Sequence, residues 1–174
     1  MTGTSSLTVW HYDTAMGAAA GEVRLKDLQQ RGAVTVLDAL TVMWVKGAHQ
    51  PRVGHLRHAT ATAASKGSVL GLVVGVVLAG PVVGAAAGAG IAGLAQRLRG
   101  TGIDHDFLQE LRERLTPGTS ALVVLSTDAD LDEVREVVER GRARGDVTLM
   151  HAQLSDDAPS ALADLLRDGP GAPT

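Results

Sequence analysis

Apolar positions along this chain fall into short strand-like runs, helical stripes and one long uncharged block. Leu7 to Tyr12, LTVWHY, concentrates β-branched and aromatic residues and predicts a strand. Asp13 or Thr14 then supplies a helix cap, with Met16, Ala20, Val23 and Leu28 as an imperfect apolar face and Gly32 as the stop just past Arg31. Val34 to Lys46 is a long β-favouring run, and turn chemistry at Gly47 to Pro51 sends the chain back as a shorter strand from Val53 to His58. Beyond the block, Asp104 caps a helix whose Phe107, Leu108, Leu111 and Leu115 share one face, and Pro117-Gly118 stops it. Ala121 to Ser126, ALVVLS, reads as a buried strand. Asp128 or Asp130 opens a helix that turns Leu131, Val134 and Val138 inward. Its acids (Asp132, Glu133, Glu136) come early and its arginines (Arg140, Arg142, Arg144) late, as the helix dipole favours. Gly145 ends it and Val147 to Leu154 forms the last strand. Pro159 to Arg167 is expected as a short tail helix, and the closing GPGAPT as disordered.

These elements repeat. Arg31-Gly32-Ala33-Val34-Thr35-Val36 resembles Arg144-Gly145-Asp146-Val147-Thr148-Leu149, and the same offset lays the strand from Thr8 over the strand from Ala121. Each copy runs strand, helix, Arg-Gly turn, strand. Two such units predict an α+β fold, a ferredoxin-like split βαβ sandwich with an antiparallel sheet and helices on one face. The expected divisions are a first half at 1–58, an apolar hairpin at 59–99, a second half at 100–155 and a tail at 156–174.

The block from Gly67 to Gln96 is thirty residues without a charge. As one helix it would run about 45 Å, longer than the roughly 30 Å core of a bilayer and too short for two full spans. A single span would part the two halves of the sheet. Two helices, Ala59 to Ala79 and Val82 to Leu98, turning at Gly80-Pro81, keep the halves together. Arg52, Arg57 and Lys66 precede the block and Arg97 and Arg99 follow it, so insertion would leave both termini cytoplasmic. Gly67, Gly71 and Gly75, then Gly80, Gly84 and Gly88, recur at steps of four and form smooth ridges where another helix backbone can approach. The same ridges would serve a hairpin buried inside a water-soluble oligomer.

Composition removes several chemistries. With 16 Lys and Arg against 19 Asp and Glu, the chain lacks the basic surface of a nucleic-acid binder. It contains no cysteine, which excludes disulfides, thiolate metal sites and a thiol nucleophile. The N-terminal residues lack a signal-peptide pattern, so a cytoplasmic start is expected. The glycines are not followed by Gly-Lys-Ser/Thr, so no phosphate loop is read there. Asp104-His105-Asp106 is read as a helix cap, not a metal site. His55 and His58 fall on opposite sides of a strand. His11-Tyr12-Asp13 has no nucleophile to pair with. No catalytic, cofactor or metal residue is assigned.

GSVLGLVVGVVLAGPVVGAAAGAGIAGLAQRL, followed by Gly102-Ile103-Asp104, Leu115-Thr116-Pro117-Gly118 and the strand Ala121 to Leu125, resembles the bacterial domain of unknown function 1269 family. The resemblance runs over roughly residues 6 to 155 and is most specific from Gly67 to Leu125. Trp44, the His49, His55 and His58 segment and the longer tail depart from the pattern. The resemblance implies membrane association and no established activity. Two readings follow. In one, a non-enzymatic homo-oligomer docks its glycine-ridged hairpin into the inner membrane as a scaffold or in envelope stress. In the other, a soluble homo-oligomer, a ligand sensor or a shell component, seals its hairpins inside.

Overall fold

A computed structural model describes residues 5–56, 69–79, 98, 100–127, 130–142, 147–155 and 158. In chain order the elements are β1 (Ser5–Tyr12), α1 (Gly17–Gln30), β2 (Thr35–Met43), β3 (Arg52–His55), α2 (Val69–Ala79), α3 (His105–Arg114), β4 (Ser120–Thr127), α4 (Leu131–Arg142) and β5 (Val147–Gln153). The fold is α+β. Its five strands form one sheet in the order β3-β2-β4-β1-β5, and every pairing is antiparallel. β1 and β2, joined through α1, have β4 between them, and β4 and β5, joined through α4, have β1 between them. β3 adds an outer edge beyond β2.

The sheet is apolar on both faces, and helices cover both. Trp10, Tyr12, Val36, Ala39, Leu122, Val124 and Val147 meet α1 through Ala18, Leu25 and Leu28, and α4 through Val134 and Val138. Leu7, Val9, Leu40, Val42, Ala121, Val123, Leu125 and Met150 meet α2 and α3. α1 and α4, the helices of the two repeated halves, share one face as expected; the expectation of helices on that face alone is corrected by α2 and α3 on the other. The physical reason lies in β4, where Ala121 to Leu125 has no polar residue to offer solvent on either side. A bulge between Val36 and Asp38 shifts the register of β2 on β4, so Asp38 comes opposite Leu125, a residue of the α2–α3 side.

Two expectations about α1 are also corrected. Met16 and Val23 are 66% and 68% exposed and Ala20 is exposed too; Leu28 turns inward as expected, but its companions there are Ala18, Gly21 and Leu25. Tyr12 decides this: a Cβ at Gly17 or Gly21 would collide with its side chain, so the helix brings its two glycines to the ring. The N-terminus of α1 is capped neither by Asp13 nor by Thr14. Met16 stands at the cap position without a side-chain bond. Ser120 of β4 serves instead, its Oγ accepting from Ala18 N at 2.9 Å and donating to Thr14 O at 2.7 Å.

The second half follows its pattern closely. Asp104 Oδ1 accepts from Phe107 N at 2.7 Å, and Phe107, Leu108, Leu111 and Leu115 are all buried. Of the two candidate caps for α4, Asp130 is the one that accepts, from Asp132 N and Glu133 N at 3.0 and 3.1 Å. Asp128, Gly145, the tail helix Pro159 to Arg167 and the terminal GPGAPT lie outside the described residues.

Candidate functional site

The uncharged block was the feature with most to say about function, and its described part is α2. Eleven residues of helix rise about 16 Å, roughly half a bilayer core. Leu70, Val73, Val74, Val76 and Val77 are at most 4% exposed and pack on β2, β4 and α3. Their spacing, three and four residues apart, places them on one side of the helix. The opposite side carries Gly71, half-buried, and Gly75, exposed, where a Cβ would meet open space. Among the described residues, no helix is long and apolar enough to cross a membrane.

A polar contact holds the same helix. Arg112 of α3 donates from Nε to Val77 O and from Nη2 to Val76 O, each at 3.1 Å. The described last turn of α2 has no basic residue of its own. The guanidinium fork thus reaches two adjacent carbonyl oxygens of α2 with hydrogen bonds from a charged donor. Sequence reasoning passed over Arg112, because it is one charged residue among several on the outer part of α3. Its only signal was a fork-shaped donor beside an apolar face.

The other expected site residues fall as follows. Gly67, Gly80, Pro81, Gly84, Gly88, Arg57, Lys66, Arg97 and Arg99 lie outside the described residues, as do His58 and most of the second arm, 82–98. Of the flanking cations Arg52 is described, exposed at the start of β3 opposite Met43. His55 is exposed at the other end of that strand. Asp104 is engaged as a cap, and among the described residues no three His, Asp or Glu side chains converge as metal ligands.

Three buried polar groups were not anticipated in their roles. His11 Nε2 lies 2.8 Å from Arg114 O, and burial lowers the pKa of the ring. Because a carbonyl only accepts, Nε2 carries the proton and Nδ1 faces Asp13 Oδ1 at 3.8 Å. Asp38 Oδ2 and Trp10 Nε1 are buried without hydrogen-bond partners among the described residues. At the β5 side, a cavity of about 330 Å³ is lined by Arg135, Val138, Glu139, Thr148, Leu149 and His151.

The family of proteins of unknown function DUF1269 matches residues 64–167, more than half of the chain. The chain belongs to this family. The DUF1269 match starts just ahead of α2 and runs past β5, so the apolar block, α3 and the β4–α4–β5 half all fall within it. The resemblance expected from about residue 6 is therefore matched only from 64, and β1 through β3 stand before it. No curated protein and no solved structure matches this DUF1269 chain.

Proposed function

We propose that this DUF1269 protein is a non-enzymatic, self-associating domain whose apolar block is an assembly element, with its helix α2 folded against the sheet. The observation that carries the reading is the seat of α2. Drawing that helix into lipid would uncover apolar residues of β2 and β4 in its cluster, Leu40, Val42 and Val123, and the hydrophobic effect opposes this. The two halves, each bracketing the central strand of the other, support a ferredoxin-like sandwich in which the hairpin is an insertion between halves. The glycines of the block then serve close helix packing within a homo-oligomer.

Insertion into the inner membrane is the second reading, favoured by the thirty uncharged residues from Gly67 to Gln96 and the cations at both ends. One fractionation separates the two. The untagged chain is released without detergent, centrifuged at high speed, and the pellet washed with carbonate. A soluble, monodisperse particle several times heavier than 17.9 kDa is the expected result. Retention in carbonate-washed membranes would overturn it in favour of insertion, and a soluble monomer would end the self-association reading.

A further inference from the structure

The two edges of the sheet differ. β3 is four residues long, follows Pro51 and carries Arg52, which are features that blunt an edge against pairing. β5 is seven residues long, VTLMHAQ, with no Lys, Arg, Asp, Glu or Pro, and it pairs with β1 without a bulge. Nothing along it discourages another strand.

Which groups face outward follows from one bond. Leu154 N donates to Ser5 O at 2.9 Å, so Leu154 points its backbone groups toward β1. Alternation then turns those of Ala152, Met150 and Thr148 toward β1, and those of Gln153, His151, Leu149 and Val147 away from it. The outer side beyond His151 is already occupied. Ser155 N donates to Thr101 O at 3.1 Å, and a Cβ at Gly102 would collide with Gln153 O, so the Thr101–Gly102 turn lies over that end. Val147, Leu149 and His151 are left, and among the described residues none of their outward groups has a backbone partner.

We infer that this open edge of β5 pairs antiparallel with β5 of a second copy, about a two-fold axis at Leu149. The inference rests on the self-association reading and assigns it a surface. With Leu149 facing Leu149 of the other copy, Val147 faces His151, and the three residues with free groups meet their own counterparts. A register centred one residue later would call on Gln153, which the Thr101–Gly102 turn covers. The chosen register also places Thr148 opposite Met150 on the other side of the ribbon. The cavity wall beside the edge carries both Arg135 and Glu139, so two copies bring a cation and a carboxylate from each side to the same seam.

The test is sedimentation of the full chain over a concentration series, with residue-resolved amide exchange, on wild type and His151→Pro. Proline removes an outward N–H and leaves the β1 ladder intact. The variant is expected to sediment at half the wild-type mass or less, its association weakened at least about tenfold by the two hydrogen bonds lost across the axis. In wild type, Thr148, Met150 and Ala152 amides stay protected throughout, while Leu149 and His151 are protected in the oligomer and released on dilution. That exchange pattern tests the proposal even if the variant fails to fold. An oligomer with freely exchanging Leu149 and His151 amides would overturn the β5 contact and leave self-association standing. Protection of both amides in a monomer would assign the edge to another part of the same chain, and overturns the proposal. A wild-type chain that stays monomeric with both amides exposed removes the self-association reading as well.

Discussion

His11 sits in β1 with its ring turned under the end of α3, where its Nε2–H meets the carbonyl oxygen of Arg114. Burial dominates the surroundings of the ring and pushes its pKa down; the hydrogen bond to the Arg114 carbonyl and then Asp13 oppose it, and the Arg114 guanidinium adds a smaller push downward. A depressed histidine is neutral in the folded chain while the unfolded chain still takes up a proton. Its stabilising contribution is therefore complete above about 6.5, the ordinary histidine value, and is lost as pH falls toward the lowered folded value. His151 is displaced in the same direction, by burial first and by Arg135 second. The chain is expected to lose thermal stability on acidification below the ordinary histidine range. His11→Gln should flatten part of that slope, and melting curves from neutral to mildly acidic pH measure it; an unchanged slope would remove His11 from the account. Gly17 is a second residue-scale case. Gly17→Ala forces a methyl onto Tyr12 beside the main chain and is expected to cost about 1–3 kcal/mol despite alanine's better helix propensity. A urea titration reads the sign directly.

At the scale of elements, two helices depend on contacts supplied from far along the chain. α1 takes its N-terminal cap from Ser120, and Ser120→Ala should cost about 1–2 kcal/mol, the range of a lost cap. α2 takes two hydrogen bonds on its carbonyl oxygens from Arg112. Arg112→Ala leaves the carbonyls of Val76 and Val77 without those bonds and is expected to cost about 1.5–3 kcal/mol, as for hydrogen bonds from a charged donor. Calorimetry would register each as a fall of about 2–4 °C per kcal/mol. Arg112→Lys discriminates further. A single ammonium cannot reproduce the guanidinium fork, so only partial recovery is expected, and full recovery would show that charge alone suffices.

For the whole molecule, the sheet is the common wall of two cores, and α2 belongs to the one opposite α1 and α4. A charge placed on the buried side of α2 should therefore disturb everything. Val74→Glu puts a carboxylate at a position 2% exposed, a penalty of several kcal/mol against a total stability of about 5–15 kcal/mol. Trp10 lies on the other face of the sheet, so its near-ultraviolet dichroism reports whether the loss spreads through the fold. A Val74→Glu chain with the native Trp10 signal would mean that α2 is dispensable to the sandwich, which is what a hairpin committed to lipid requires.

What was legible in the sequence was local. The strand runs LTVWHY and ALVVLS, the Asp104 cap with its Phe107–Leu115 stripe, and the Asp130 start of α4 all rest on residues within a few positions of one another, where periodicity and capping chemistry operate. Even the covering of both faces was written into ALVVL, since a strand without polar residues has no side to give to water. Tertiary structure alone decided what each element meets. Tyr12 selected the face of α1 against the apolar stripe of Met16 and Val23, and Ser120 replaced the local candidates at its cap. Arg112 reached across to α2, and the sheet took up the apolar helix of the block. Periodicity states that a face will be buried but not against what: Tyr12 lies near in sequence but on another element, and Ser120 and Arg112 stand 102 and 35 residues from the groups they hold, brought close only by folding.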